Sequence, residues 1–204
     1  ERHLSSLPCP LVRRRTGGGA IVHDTELTYS LCVPSTNRWS SKNEELYDTI
    51  HKIIISLLKE DGIATTLYRD SLTEVEIENN TVPLNSNPNL PWPVDPNAFL
   101  CFLRRSPGDV VSNGHKIVGS AQRRLKNSLI QHGSVLYERS SFAPELWGIN
   151  DISGSKFTFD DLAIRLLPSI EDYLGMKIDR QEFLQEMKLR RFVRKAIKIA
   201  ANKR

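Results

Sequence analysis

Cysteine is scarce in this sequence, and the pattern of the few cysteines excludes two kinds of stabilising site. The 204 residues include three cysteines, Cys9, Cys32 and Cys101, with no CxxC spacing. An odd number without that spacing argues against a disulfide framework and against a zinc site. We therefore expect reduced thiols, with Cys32 as a small buried residue in a strand.

Long apolar runs are also missing. No stretch approaches the about 20 apolar residues that a membrane-spanning helix needs, and no signal peptide is visible. We expect no membrane partner and a location in the cytoplasm.

The charge balance is only modestly basic. The net charge is +4 and the pI is about 9.0, which suits acidic protein partners as well as nucleic acid. However, aromatic residues are not interleaved with the basic run near the C-terminus, as a platform for stacked bases requires. The sequence therefore argues against a nucleic-acid partner.

Helices and strands are mixed along the chain without regular βαβ alternation. The length suits one domain with a core, and the mixture favours the α+β class. The clearest helix starts at Ser41 and ends before Gly62, with apolar residues at helical spacing on one face and His51 on the exposed face. A second helix is predicted over 159–174, and a basic third helix over 180–204.

Short β-branched or apolar segments predict the strands. They cover residues 20–22, 28–33, 63–67, 109–111, 116–120 and 134–137. Asn113-Gly114 is a strong hairpin signal and places Lys116 shortly after a tight turn. A proline-rich loop over 79–97 delivers the chain to Cys101, and its position suggests a cover for an active site.

Two glycine-containing segments surround Cys101 and Lys116. The first reads RRRTGGGA over 13–20 and continues as HDTELTYS over 23–30; the second reads GHKIVGSAQRR over 114–124 and is followed by QHGS over 131–134. Backbone without Cβ atoms approaches a ligand closely, and its N–H groups can face an oxyanion. A thiol carries an acyl group as a thioester, and a nearby ammonium stabilises the thiolate. Together these residues suggest acyl transfer.

Four blocks in a fixed order carry a resemblance to a known family. The chain contains, in order, RRxTGGGAxxHDxELTYS, Cys-Phe, KxxGSAQxR and QHGS. Over roughly 12–138 it resembles the lipoate and octanoate transferase and ligase superfamily, most of all its octanoyltransferases of the LipM type. The resemblance implies the fold of the biotin and lipoate protein ligase catalytic domain, a mixed sheet flanked by helices. Family members carry more sequence before the first block, so we expect 1–204 to be one catalytic domain without its N-terminal segment.

The resemblance also implies which residues react and which bind. Cys101 would be the nucleophile, and Lys116 would stabilise the oxyanion beside it; from composition alone, Cys101 could be an inert cysteine in an apolar segment. The expected substrate-binding residues are Arg15, Thr16, Gly17, Gly18, Gly19, Ala20, His23, Gly119, Ser120, Ala121, His132, Gly133 and Ser134. Structural hydrogen bonding is an alternative for both histidines. No second histidine lies at ligand spacing from His23, so no metal is expected.

The implied reaction moves an octanoyl group from acyl carrier protein to a lysine of a lipoyl-accepting protein, in lipoate biosynthesis. The acceptor would be a glycine cleavage H protein or the lipoyl domain of a dehydrogenase E2. A thioester is already activated, so no cofactor is expected. Arg104, Arg105, Arg123 and Arg124 flank the reactive segments and are candidates to dock the acidic carrier.

Three alternatives stay open at the level of sequence. A lipoate–protein ligase would share the glycine segment and the lysine but would use ATP and magnesium and need no nucleophilic cysteine. An octanoyl amidotransferase between lipoyl-accepting proteins would use the same Cys–Lys pair. A non-catalytic binding protein on this fold would have no use for either residue.

Overall fold

The strands form one mixed sheet, and helices pack against it. The computed structural model describes residues 3–14, 16–72, 97–175 and 196–200. The strands are β1 (Glu26–Pro34), β2 (Thr66–Leu67), β3 (Val110–Ser112), β4 (His115–Arg124), β5 (Ser128–Leu136) and β6 (Ala196–Ala200). The α-helices are α1 (Asn43–Glu60), α2 (Ile149–Ser153) and α3 (Phe159–Leu174). Short 3-10 helices cover Leu4–Ser6, Arg38–Ser41, Tyr68–Ser71 and Cys101–Leu103.

The order of the strands confirms the α+β class. The sheet runs β2-β3-β4-β5-β1-β6; the neighbours from β2 to β1 are antiparallel, and β6 is parallel to β1. Asn113 and Gly114 join β3 to β4 with φ angles of 46° and 78°. Both central residues of a two-residue hairpin turn of this kind need positive φ, which explains the Asn-Gly pair.

Helix α1 covers one face of the sheet through its predicted apolar stripe. Leu46, Ile50, Ile54 and Leu58 are fully buried, and burying each such side chain stabilises the fold by about 1.5–3 kcal/mol. The helix ends at Glu60, and Gly62 follows with a φ of 75°. This agrees with the glycine stop that the sequence predicts.

The prediction that His51 lies on the exposed face of this helix is wrong. Its side chain is fully buried, Nδ1 lies 2.5 Å from the carbonyl oxygen of Gly108, and Nε2 lies 2.6 Å from Oγ of Ser120. Position 51 borders the apolar stripe, and β4 presents polar groups there rather than apolar ones. Burial lowers the pKa of His51 to about 4, so the imidazole is neutral at neutral pH.

Helix α3 packs against α1 and completes the core on that face. It has the predicted bounds, and Asp161 accepts hydrogen bonds from the backbone N–H and the hydroxyl of Thr158, which fixes the first turn. Neither this helix nor any other in the described part of the chain is both long and apolar enough to cross a membrane.

Two predictions about regular structure need correction. Residues 196–200 form β6 and not part of a helix over 180–204, because Ile197 and Ile199 alternate in a pattern that suits a strand and pair with the backbone edge of β1. The predicted strand over 20–22 is reduced to one parallel bridge between Ala20 and Leu100. The remainder of 180–204 lies outside the described residues, as do residues 73–96, which contain most of the predicted proline-rich loop.

Candidate active site

The triglycine segment lies directly against the backbone that carries Cys101. The N–H of Ala20 donates to the carbonyl of Phe99 at 2.9 Å, and the N–H of Cys101 donates to the carbonyl of Ala20 at 2.8 Å. A Cβ on Gly19 would lie 2.8 Å from the Phe99 oxygen and 3.1 Å from the Cys101 nitrogen. The structure therefore brings the first glycine segment and the cysteine together, through an approach that only glycine allows.

Arg14, which the sequence did not single out, holds this segment in shape. Its guanidinium donates to the carbonyl of Gly19 at 2.8 Å and to the hydroxyl of Thr16 at 3.4 Å. Gly18 takes a φ of 102°, and a Cβ there would meet the same guanidinium and lie 3.8 Å from Sγ of Cys101. Arg15, the arginine named from the sequence as a binding residue, lies outside the described residues.

Gly19→Ala should destabilise the protein, whereas Gly17→Ala should not. At position 19 the added methyl meets backbone atoms that cannot rotate away, and overpacking of this kind costs about 1–3 kcal/mol. At position 17 nothing lies within 4 Å of a Cβ, so we expect a change of less than about 0.5 kcal/mol. Urea unfolding of both variants gives the comparison. Equal free energies of unfolding would contradict the close approach.

Cys101 itself is more accessible than its neighbours. It opens the 3-10 helix Cys101–Leu103 and is half-buried, whereas Leu100 and Phe102 on either side are 1% and 2% exposed. The two apolar neighbours fix the turn in the core, and Cys101 keeps part of its surface exposed. This arrangement suits a reactive cysteine better than an inert core cysteine.

Lys116 lies buried near the start of β4, beside the turn of Cys101. Its side chain is 4% exposed, and Nζ lies 5.3 Å from the centre of the Phe102 ring. A Cβ on Gly119 would come within 2.5 Å of Cε of Lys116 and 3.0 Å of Nζ. Gly119 therefore makes room for the lysine, which is a more specific role than the small pocket wall expected from the sequence.

Asp109 is a site residue that the sequence analysis missed. It is 1% exposed, and its Oδ2 lies 2.7 Å from Nζ of Lys116 and accepts the N–H of Ser106 at 2.6 Å. The hydroxyl of Tyr47 on α1 donates to Oδ1 at 3.4 Å. Burial and the charge of Asp109 raise the pKa of Tyr47, so that hydroxyl stays protonated.

Arg105 links the cysteine turn to the hairpin that leads to Lys116. Its guanidinium donates to the carbonyl of Phe102 at 2.7 Å and to the carbonyl of Gly114 at 3.1 Å. Burial lowers its pKa from the usual value. These contacts correct the expectation that Arg105 docks a carrier, because its donors hold this protein's own backbone. Arg104 likewise donates from Nε to the carbonyl of Ala98 at 2.7 Å.

The side chain of Ser120 points to the α1 side of β4. Its Oγ bonds to Nε2 of His51 at 2.6 Å and to the hydroxyl of Tyr29 at 2.5 Å, and Tyr29 also accepts from Gln131 at 3.2 Å. A Cβ on Gly133 would collide with Ser120 and Tyr29. Ser120 therefore belongs to a polar network with His51, Tyr29 and Gln131, and Gly133 leaves the room that this network needs.

The opposite side of the sheet holds a cavity under the glycine segment. Its volume is about 200 Å³, and it is lined by Thr16, Ser30, Arg123, Leu125, Ile130 and His132. A hydrogen bond of 2.5 Å connects Oγ1 of Thr16 with Nε2 of His132. Burial, and the nearby charges of Arg14 and His23, lower the pKa of His132, which favours a neutral ring.

Three further expected residues lie in β4, in β5 and just before β1. Ala121 pairs with His132 across β4 and β5, and Ser134 pairs with Gly119 and is buried. The Nδ1 atom of His23 lies 2.8 Å from Oε1 of Glu26. His23 thus has the structural hydrogen bond that was the alternative to substrate contact. Among the residues that the structure describes, no group of three or more His, Cys, Asp or Glu side chains could hold a metal ion.

Comparison with known families explains why these elements occur together. Residues 1–190 match the family described as the lipoyl protein ligase A/B catalytic domain. The chain belongs to that family. This membership agrees with the fold that the glycine segments and the lysine block imply.

The relatives within this catalytic-domain family include LipM octanoyltransferases. The one from Bacillus anthracis is 29% identical over 197 residues, which cover 86% of this chain and 66% of the relative. The one from Staphylococcus epidermidis is 29% identical over 174 residues, which cover 74% of this chain and 58% of the relative. The chain thus spans less than two thirds of the length of these relatives.

Solved structures confirm the fold of the lipoyl ligase catalytic domain. A lipoate-protein ligase A bound with ATP has a TM-score of 0.52 at 15% identity, covering 87% of this chain and 66% of its own. A bipartite lipoate protein ligase from Thermoplasma acidophilum has a TM-score of 0.50 at 17% identity, covering 87% of this chain and 65% of its own. At these identities the likeness concerns the fold alone.

Proposed function

We propose that this chain is the catalytic part of an octanoyltransferase that works through a thioester on Cys101. One observation carries the proposal: a half-buried thiol lies against the triglycine segment, and the buried ammonium of Lys116 lies against the ring of the next residue, Phe102. Similarity to LipM octanoyltransferases supports octanoate as the acyl group.

In the first half-reaction the thiolate of Cys101 attacks the carbonyl carbon of an octanoyl thioester on acyl carrier protein. A new C–S bond forms, and the negative charge that develops on the carbonyl oxygen is stabilised by the ammonium of Lys116. The intermediate then collapses, the donor C–S bond breaks, and the carrier leaves as a thiolate that takes a proton from water. Cys101 now carries the octanoyl group.

In the second half-reaction a lysine amine of the lipoyl-accepting protein attacks the Cys101 thioester. A C–N bond forms, the C–S bond breaks, and Cys101 leaves as a thiolate that takes up the proton lost by the amine, which regenerates the free thiol. Lys116 again faces the oxyanion, because the carbonyl carbon occupies the same place in both halves. Thioester energy drives both steps, so the proposal needs neither ATP nor magnesium.

The surroundings of Cys101 fit both the proposed octanoyl group and the proposed carrier protein. Leu125 and Ile130 give the cavity beneath the glycine segment an apolar wall that suits part of an octanoyl chain. Arg124 is exposed at the end of β4, where its charge favours an acidic carrier. A glycine cleavage H protein or a dehydrogenase E2 lipoyl domain is the proposed acceptor. The cytoplasmic location expected from the sequence stays a prediction.

Intact-mass spectrometry tests the proposal most directly. The protein is incubated with octanoyl acyl carrier protein without ATP, and we expect a gain of one octanoyl group that hydroxylamine removes. Peptide mapping should place that group on Cys101. Octanoylation of an added lipoyl-accepting protein that requires ATP and octanoate, with no adduct on this chain, would instead indicate the ligase. No acylation of either protein under both conditions would rule out both enzymes.

A further inference from the structure

The carboxylate of Asp109 is held on three sides by different parts of the fold. Nζ of Lys116 comes from β4, the N–H of Ser106 from the turn before β3, and the hydroxyl of Tyr47 from α1. Both members of the ion pair are almost fully buried, with side chains 2% and 4% exposed. A buried carboxylate without such partners is strongly disfavoured, so these contacts define one position for it.

Contacts outside this ion pair also restrict the side chain of Lys116. The side chain of Lys116 runs over Gly119, where a Cβ would come within 2.5 Å of Cε. Its ammonium then meets Asp109 on one side and the face of the Phe102 ring on another. The position of the ammonium relative to the cysteine turn is therefore set by the carboxylate.

The groups around the ammonium of Lys116 come from several elements of the fold. Among the groups whose interactions are described, Asp109 is the anion in direct contact with the ammonium. His51 from α1 is neutral, since burial lowers its pKa to about 4, and Tyr47 keeps its proton. Arg105 adds a second cation near the carboxylate.

We propose that Asp109 is the positioning residue for Lys116, and that the buried pair aims the ammonium at the carbonyl oxygen of the acyl group on Cys101. The inference rests on the proposed transferase function and adds a residue to it. Asp109 does not touch the substrate; it acts through the lysine.

A double-mutant cycle of Asp109 and Lys116, measured in the full chain, distinguishes a positioning role of Asp109 from a purely structural one. Asp109→Asn should lower kcat of octanoyl transfer about 10- to 100-fold, the loss seen when a partner that orients a metal ligand is removed, with KM changed less than about twofold. Asp109→Glu keeps the charge and should retain more turnover than Asp109→Asn. In a Lys116→Met background, Asp109→Asn should change kcat by less than about twofold, because a residue that acts only through Lys116 has nothing left to position.

The control is Asp48→Asn, which removes a carboxylate on α1 that pairs with Arg69 at 2.6 Å and should leave kcat unchanged. Equal fractional losses from Asp109→Asn in both backgrounds would overturn the positioning role. Urea unfolding of the same cycle requires no activity, and the single variants should be non-additive if the pair exists. Coupled stabilities in a chain that transfers no acyl group would refute the proposed function but not the pair, whereas additive stabilities would refute the pair itself.

Discussion

Cys101→Ser is expected to abolish the hydroxylamine-sensitive octanoyl adduct and to lower turnover by more than about 1000-fold. A serine hydroxyl in the same turn is not ionised near neutral pH, so it is a much weaker nucleophile than a thiolate. Losses of this size are typical when a covalent nucleophile is removed. Burst-phase acylation and steady-state transfer to a lipoyl-accepting protein give the two measurements.

Cys32→Ser is the matched control for this variant. Cys32 is also a half-buried free thiol, but it lies within β1, where it pairs with Ile130 of β5. The serine variant should keep the adduct and the turnover of the wild-type protein. An adduct that survives Cys101→Ser and disappears with Cys32→Ser would place the thioester on Cys32 and contradict the proposal.

Local patterns predicted much of the fold because the determining interactions are local. The apolar stripe of α1 and the Asn113-Gly114 turn both depend on residues within a few positions of each other, and both predictions are confirmed. The burial of His51 and the formation of β6 depend instead on which strand of the folded sheet lies next to them. His51 is buried because β4 offers it Ser120, and β6 forms because β1 has a free edge.

The sequence predicted the site as two separate segments and missed Asp109, which the hairpin brings close to Lys116. The turn at 113–114 pairs Val111 with Lys116. Asp109 lies two residues before Val111. The register shifts between Val110 and Val111, where Val110 pairs with Val118, so the hairpin brings Asp109 near the lysine without fixing their pairing. Arg105 and Arg14 could not have been found from the sequence, because their partners are backbone carbonyls of irregular segments.

Because Lys116 is paired with a buried carboxylate, replacing it should lower the free energy of unfolding. A lysine that projects alone into a pocket could be replaced at little cost to folding. Lys116 instead neutralises a carboxylate that is buried with it, and removing one partner of a buried pair costs about 3–5 kcal/mol, since the other charge is left unpaired. The residue therefore affects both stability and catalysis, and a test must measure both.

Lys116→Met should lower the acylation rate of Cys101 about 100- to 1000-fold, the usual effect of losing one donor to a developing oxyanion. Methionine keeps most of the volume beside Gly119 and Phe102 but carries no charge. Single-turnover acylation with octanoyl acyl carrier protein measures the step directly, and urea unfolding shows how much of the protein is folded. Lys52→Met, at an exposed position of α1, serves as the control and should leave both quantities unchanged.

The double variant Lys116→Met with Asp109→Asn decides between catalysis and folding as the cause of the loss. Neutralising the carboxylate removes the unpaired charge, so the double variant should recover most of the lost stability. The acylation rate should stay as low as in Lys116→Met alone, because the oxyanion still lacks its cation. A rate that recovers together with stability would mean that Lys116 serves the fold and that another group stabilises the oxyanion.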